Sequence, residues 1–238
     1  MTTTTASRKL VHELYATQRE IWPRSGRHIL AQYDDGDYPY VVVYMAFAKG
    51  IGEYAAKHKK FSGAPGWRDG RMSWFKTNFL WMMYRSSWGT AKNQECTLAL
   101  FVRRANFVKL LSAAVPSSPN DNYESKEAWQ AALATSDVRL QWDPDHAPTG
   151  EKITERRAIQ IGLRNDYQRA LARGEFTYDI VDISAFVAQQ RVNVRQHDQL
   201  LLPRERVFRP DAADGGDALV RHLRLDDADE RDGDGERG

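Results

Sequence analysis

Two nearly uninterrupted apolar runs dominate the hydrophobic pattern of the chain. They are residues 40–47 and 95–102, both rich in β-branched and aromatic side chains. A short run of this kind is typical of a central strand, because both of its faces are buried. Residues 138–142 alternate apolar and polar positions, and residues 157–163 and 179–183 are further apolar-rich segments. The sequence therefore predicts a sheet built from these segments.

Between the predicted strands, apolar residues recur at helical spacing. The pattern predicts helices over residues 8–22, 49–60, 104–114, 125–134 and 165–173, and one ending near 190. Residues 27–33 fit a strand or a short helix. Neither GxGxxG nor a Walker pattern follows a strand, which argues against Rossmann and P-loop folds. We therefore predict an α+β fold, with a single mixed, mainly antiparallel sheet and flanking helices.

Composition divides the chain into three predicted parts. These are an N-terminal helical extension (1–24), a single α+β catalytic-like domain (25–208) and a disordered acidic tail (209–238) rich in Asp, Gly and Arg. Residues 211–238 contain ten acidic residues and four arginines, a balance of −6, whereas the whole chain carries +2. The rest of the chain therefore carries +8. A basic body suits phosphate-bearing partners, although many basic surfaces bind nothing specific.

Several classes of chemistry lack the residues they need. The single Cys96 excludes an internal disulfide and a cysteine-cluster metal site, and its apolar surroundings predict a core thiol. The six histidines show no paired spacing, so we expect no metal, and no GxSxG marks a hydrolase nucleophile. There is no run of about 18 apolar residues and no apolar signal core at the N-terminus. We therefore expect a cytoplasmic protein with no membrane partner.

Residues 71–85 are the strongest candidate for a functional segment, because they mix aromatic rings with strong hydrogen-bond donors. The segment places four aromatic residues among four cations or amides, namely Trp74, Phe75, Trp81 and Tyr84 with Arg71, Lys76, Asn78 and Arg85. A buried cation costs several kcal/mol unless it is paired or bound to a ligand. Rings beside fixed cations suit a flat, anionic ligand such as a nucleotide. The alternative is core packing of the indoles, with the cations snorkelling over them.

Motifs in three regions make the chain resemble the uncharacterised domain of unknown function 4291 family. The first region contains RHILAQYD (27–34) followed by VYMAF (43–47). The second is the long motif RMSWFKTNFLWMMYRSSW (71–88). The third pairs VRLQWDP (138–144) with RAIQIGL (157–163). Together they span most of residues 25–190, but the family name implies no activity.

The order of elements is also similar to that of the ADP-ribosyltransferase superfamily, in particular DarT-type enzymes that modify DNA bases. VYMAF (43–47) and the helix after it resemble an early strand that ends in a Tyr-His-Gly-Thr-like motif, with Met45 replacing a polar residue. Residues 74–84 resemble an aromatic strand with a cation, followed by a Met-rich turn. Residues 157–160 take the place of an Arg-x-x-Glu strand whose Glu grips the nicotinamide ribose, but Gln160 stands where the glutamate would be.

This second resemblance implies NAD as a substrate and a role for particular residues. It assigns Gln160 to the catalytic position and NAD binding to Tyr44, Lys76, Tyr84, Arg85 and Arg157. An amide both donates and accepts, so Gln160 could hold a ribose hydroxyl. It cannot act as a base or offset a developing oxocarbenium charge as a carboxylate would. Either the acceptor supplies its own nucleophile, another carboxylate serves, or only binding remains.

The identity of the acceptor is open at this level. The basic body and the DarT-like order suggest a nucleic acid base. A second hypothesis is a non-catalytic nucleic-acid or nucleotide-binding module, in which Arg71, Arg103 and Arg104 contact phosphates and the rings stack on bases. A third is a structural or interaction domain whose acidic tail meets a basic partner.

Overall fold

The computed structural model describes residues 8–226 of the 238-residue chain. The strands of this part are β1 His12–Leu14, β2 Gly26–Arg27, β3 Ile29–Ala31, β4 Tyr33–Asp34, β5 Tyr40–Phe47, β6 Ser73–Lys76, β7 Cys96–Arg103, β8 Val115–Pro116, β9 Val138–His146, β10 Lys152–Leu163, β11 Thr177–Asp182, β12 Leu201–Pro203 and β13 Arg206–Phe208. The helices are α1 Tyr15–Ile21, α2 Lys49–His58, α3 Phe79–Ser86, α4 Arg104–Ala113, α5 Lys126–Thr135, α6 Asn165–Ala172, α7 Ser184–Arg191 and α8 Gly216–Leu223.

The main sheet is mixed and mainly antiparallel, with helices flanking it, as the sequence predicts. Its central path runs β11-β7-β5-β6-β10-β9-β8, with β4 beside β5 and β2 beside β10. Within the described residues, the parallel pairs of this sheet are β8 with β9 and β2 with β10. Two small antiparallel pairs, β1 with β12 and β3 with β13, lie outside this sheet.

The central strands β5 and β7 are covered on both faces. Val43 and Leu100 face one apolar cluster, whereas Val42 and Phe101 face the other. Successive residues of a strand point to opposite faces, so a run without polar positions fits a strand buried on both sides. The prediction of central strands from the two apolar runs is therefore confirmed.

Cys96 is a core residue at the start of β7, as the sequence predicts. Burial raises the pKa of its thiol to about 12, so the thiolate is disfavoured. Gly52 of α2 lies against it, and a Cβ added to Gly52 would come within 2.2 Å of the Cys96 sulfur. A glycine is therefore needed for α2 to approach β7 this closely.

The two ends of the described chain differ from the sequence-based predictions. The helix predicted over residues 8–22 begins only at Tyr15, because the preceding residues form β1 and pair with β12. Residues 211–226, predicted to belong to a disordered tail, contain α8, which buries Leu219 and Leu223 in the core. Tertiary pairing and burial outweigh local composition in both places.

Residues 1–7 and 227–238 lie outside the described residues. No helix from residue 8 to residue 226 is long and apolar enough to cross a membrane.

Candidate functional site

A cleft opens where two neighbouring strands of the sheet separate. β5 and β6 pair only at Tyr44 and Lys76, although each strand continues beyond this pair along its other neighbour. A cleft of about 990 Å³ is lined by residues of both strands, and residues 65–68 and 92–94 complete its walls. This volume is at the upper end of the range for small-molecule sites. The cleft is therefore large enough for a ligand of dinucleotide size.

A row of polar side chains crosses the sheet at the floor of the cleft. Lys76 is paired in register with Tyr44 on β5 and with Gln160 on β10, and Gln160 is paired with Gln141 on β9. Directly opposed residues of neighbouring strands project from the same face of a sheet. Lys76, Gln160 and Gln141 all line the cleft. The sheet register thus places Lys76 beside Gln160, which is 84 positions further along the chain.

Lys76 is the buried cation of this floor, with 5% of its surface exposed. Within the described residues its ammonium group has no hydrogen bond and no carboxylate at ion-pair distance, and its Nζ lies 4.9 Å from the ring centroid of Trp81. Burial, aided by the charge of Arg85 and opposed by that of Asp143, lowers the pKa of Lys76 to about 8. A buried, unpaired lysine in a cleft is a recognised indicator of a functional site.

The remaining cations of the cleft are also free of ion pairs within residues 8–226. Four further cations line it, namely Arg68, Arg71, Arg85 and Lys92. All four are exposed, and the lining contains no Asp or Glu. Five cations without a lining carboxylate create a positive potential that favours a ligand with several negative charges.

Three indole rings supply flat apolar surface to the cleft. Trp67 stacks on Phe61 with ring centroids 5.0 Å apart, and Trp81 is buried at the start of α3. Trp74 lies over Gly162 of β10, where an added Cβ would come within 2.9 Å of the indole. Gly162 therefore leaves the space that the Trp74 ring occupies. Such rings suit the faces of nucleobases or a nicotinamide.

The segment predicted as a Met-rich turn is helical. Asn78 caps α3 by accepting a hydrogen bond from the Trp81 backbone N–H at 2.7 Å, which is the usual role of an N-cap asparagine. Met82 and Met83 follow inside the helix. Trp81, Met82 and Arg85 line the cleft from α3, because residues one helical turn apart share a face.

The two tyrosines assigned to NAD binding lie outside the lining of the cleft. Tyr44 belongs to the polar row by register, but α3 covers it, and its ring packs edge-on against Phe79 at 5.4 Å. Tyr44 is fully buried, so it packs the core and cannot stack on a ligand. Tyr84 points to another side of α3, where its ring stacks on His146 at a centroid distance of 3.7 Å.

Arg157 also lies outside the cleft. It is three residues before Gln160 on β10, and an odd spacing places two side chains on opposite faces of a strand. The neighbouring Arg156 is on the Gln160 side, but it is buried and forms an ion pair with Asp145 at 2.6 Å. Neither arginine therefore fills the ligand role that the sequence motif implies for Arg157.

Arg103 and Arg104, predicted to contact nucleic acid, are engaged elsewhere. Arg103 donates to the backbone carbonyl of Glu175 at 2.8 Å and lies over the ring of Tyr178. Arg104 bonds three carboxylates, namely those of Asp35, Asp211 and Asp214. Of the predicted residues, Arg71, Lys76, Arg85 and Gln160 line the cleft.

Several residues of the site were not predicted. Arg68 and Lys92 come from loops whose positions are set by the surrounding fold, so no local signal marks them. Gln141 and Asp143 lie within the VRLQWDP motif that contributes to the family resemblance. Asp143 lies inside a strand, because β9 continues through it to His146. Within residues 8–226, no group of three or more His, Cys, Asp or Glu side chains is arranged to hold a metal ion.

A buried carboxyl group lies beneath the start of α3. Glu205 accepts a hydrogen bond from the Phe79 backbone N–H at 2.6 Å, and its second oxygen has no hydrogen-bond partner in the described part of the chain. Burial raises the pKa of Glu205 well above its usual range, which favours the neutral acid. The Tyr44 hydroxyl is likewise buried and unpaired. These groups support α3 from below and lie outside the cleft lining.

The fold and the site define an α+β protein whose split sheet holds a cationic, tryptophan-lined cleft. The chain belongs to the domain of unknown function family DUF4291, whose model matches residues 28–208. This match confirms the resemblance predicted from the three motif regions, and it includes every residue that lines the cleft. No curated protein matches the chain.

Proposed function

We propose that the cleft binds NAD and that the protein is an ADP-ribosyltransferase-like enzyme. The observation that carries this proposal is the lining of the cleft, which among residues 8–226 combines five cations, three indoles and three glutamines with no carboxylate. Cations suit a pyrophosphate and rings suit flat bases. A volume of about 990 Å³ suits a dinucleotide better than a single small anion.

The positions of the lining residues suggest how NAD would be held. Lys76 and Arg85 would neutralise the pyrophosphate, because they are adjacent cations at the floor and on α3. Gln160 would hold ribose hydroxyls. Trp74 or Trp81 takes over the stacking role first assigned to the tyrosines. The similarity of residues 74–84 and 157–160 to ADP-ribosyltransferase motifs favours NAD over other dinucleotides.

The reaction would transfer ADP-ribose to an acceptor. The bond between ribose C1′ and the nicotinamide nitrogen breaks, both electrons leave with nicotinamide, and the ribose passes through an oxocarbenium-like state. A nucleophilic atom of the acceptor then bonds to C1′ and loses its proton to solvent. Arg68, Arg71 and Lys92 are cations in excess of those that one pyrophosphate requires. They favour an acceptor that carries phosphates, such as a nucleic acid modified on one of its bases.

Calorimetry and nicotinamide release test this function directly. NAD is titrated into the wild type, Lys76→Ala, Gln160→Ala and the control Arg103→Ala. Gln160→Ala should weaken binding by about 1–2 kcal/mol, roughly 5- to 30-fold, because hydrogen bonds to ribose are lost. Lys76→Ala should weaken NAD binding more, because the pyrophosphate charge is left unpaired, while Arg103→Ala should bind as the wild type does.

Nicotinamide release is then measured with DNA, RNA and protein as acceptors. A wild type that binds no NAD would exclude the proposal.

A second candidate function is nucleic-acid binding without catalysis, which the excess of unpaired cations favours. Single-stranded nucleic acid could place phosphates along the cations and stack bases on the indoles. Each phosphate neutralised contributes about −0.7 to the slope of log affinity against log salt for a single strand. A steep slope with an oligonucleotide, together with no NAD binding and no nicotinamide release, would favour this function over the first.

A further inference from the structure

The carboxylate of Asp143 is held between two glutamine side chains at the edge of the cleft. Gln141 donates from Nε2 to Asp143 Oδ1 at 2.9 Å, and Gln160 donates from Nε2 to Asp143 Oδ2 at 2.7 Å. The two glutamines face each other in register across β9 and β10. Asp143 is two residues beyond Gln141 on β9 and therefore projects from the same face. One carboxylate thus bridges two neighbouring strands.

This bridge determines which way both amides point. An ionised carboxylate can only accept hydrogen bonds, so the amide nitrogen of each glutamine must face Asp143. The carbonyl oxygens, Oε1 of Gln141 and Oε1 of Gln160, are then turned away from it. Both glutamines line the cleft, whereas Asp143 does not. Asp143 has no cation at ion-pair distance among residues 8–226, although Lys76 lies near enough to interact with its charge.

We propose that Asp143 is a positioning residue that fixes Gln141 and Gln160 with their carbonyl oxygens toward the ligand. The inference rests on the proposed function, and it specifies how a site with glutamine in the catalytic position could act. Two oriented carbonyl dipoles accept hydrogen bonds from ribose hydroxyls. They are polarised by the negative charge behind them, and they face the positive charge that develops at C1′ as nicotinamide leaves. Asp143 exchanges no proton with the substrate.

Two variants separate this role from a purely structural one. Asp143→Asn keeps the volume but removes the charge, and its own amide nitrogen can no longer accept from one of the glutamines. The turnover number for nicotinamide release should fall by roughly 10- to 100-fold, with KM changed by less than about 3-fold, because the lost interaction acts mainly in the transition state. The exchange variant Asp143→Asn with Gln160→Glu restores one carboxylate and one amide in reversed positions. It should regain turnover to within about 3-fold of the wild type.

A matched control and a second measurement do not depend on catalysis. Asp137 accepts a hydrogen bond from the side chain of Asn165 and lies 3.5 Å from Arg164, outside the cleft lining. Asp137→Asn should leave turnover unchanged. In the free protein, the side-chain amide NMR signals of Gln141 and Gln160 should both shift in Asp143→Asn and neither should shift in Asp137→Asn.

Each outcome distinguishes the proposal from the function on which it rests. A wild type that neither binds NAD nor releases nicotinamide defeats the proposed function and with it the catalytic consequence of the bridge. A wild type that is active while Asp143→Asn turns over equally well overturns the role of Asp143 alone. An exchange variant whose turnover number is no higher than that of Asp143→Asn also overturns the role of Asp143. Unshifted glutamine amide signals in Asp143→Asn overturn the orientation itself, whatever the activity.

Discussion

Buried cations occur in two contrasting regions of the molecule. Arg156 on β10 forms an ion pair with Asp145 of the neighbouring strand β9. In the cleft, Lys76 is as deeply buried as Arg156, with 5% against 6% of its surface exposed, but it has no carboxylate at ion-pair distance among the described residues. The desolvation cost of burial is therefore offset by a carboxylate for Arg156, whereas no described carboxylate offsets it for Lys76.

The difference separates structural cations from candidate ligand-binding cations. A buried charge is stable in a fold when partners inside the protein offset its desolvation, as Asp145 does for Arg156. Lys76 has no such partner between residues 8 and 226, so its desolvation destabilises the free protein. A fold retains such a group where an external anion supplies the missing partner. Four predictions test this contrast.

The largest effect on stability is expected for the paired cation, Arg156. Arg156→Met should lower the free energy of unfolding by about 3–5 kcal/mol, because it leaves Asp145 buried without its cation. Urea denaturation followed by tryptophan fluorescence measures the change. Replacing both Arg156 and Asp145 with apolar residues should be less harmful than replacing Arg156 alone. A loss below about 1 kcal/mol for Arg156→Met would show that this pair is not structural.

The substitution Lys76→Met should change the free energy of unfolding in the opposite direction and stabilise the free protein. The pKa of Lys76 falls from 10.5 to about 8 on folding, and each unit corresponds to about 1.4 kcal/mol. The destabilisation is fully present below pH 8 and is relieved as the pH rises from about 8 to 10.5. At pH 7 the variant should therefore gain about 3 kcal/mol. The matched control is Lys59→Met, because Lys59 is paired with Asp179 at 2.7 Å, and it should lose stability instead.

Anion affinity should depend on pH through the same lysine. Above pH 8 the free protein loses the Lys76 charge, so NAD affinity should fall by up to about tenfold per pH unit until the pKa of the complex is reached. Calorimetry at pH 7, 8 and 9 measures the slope. In Lys76→Met the slope should be flat over this range. Equal slopes in the two proteins would assign the pH dependence to another group.

The smallest effect should separate the exposed Arg71 from the partly buried Arg103. Arg71 lines the cleft and has no ion pair within the described part of the chain, whereas Arg103 is bonded to the Glu175 carbonyl and lies over Tyr178. Arg71→Ala should weaken NAD binding by about 2- to 5-fold, the size of one screened surface charge, and Arg103→Ala should leave it unchanged. Repeating both titrations in high salt should reduce the Arg71 effect. Equal effects of the two substitutions would remove the distinction between cleft cations and structural cations.

The hydrophobic pattern was a good guide to the sheet and a weaker one to the site. The apolar runs predict β5 and β7 because continuous burial leaves a clear local signature. From residues 71–85, singled out by their unusual composition, Lys76 and Arg85 line the cleft. Of the two site residues assigned in the motif at 157–160, the cleft lining contains one. Strand alternation puts Gln160 in the cleft and turns Arg157 to the opposite face.

The sequence by itself determined the segments that form strands and helices and the residue types available for a site, because periodicity and composition act locally along the chain. Only the tertiary structure decided which cations are paired. Arg104 meets Asp211 across 107 positions, and Lys76 meets Gln160 but, among residues 8–226, no carboxylate at ion-pair distance. Coulombic pairing depends on distances of a few ångströms in space. The register of distant strands, rather than the local sequence, therefore separates a structural cation from one left open to a ligand.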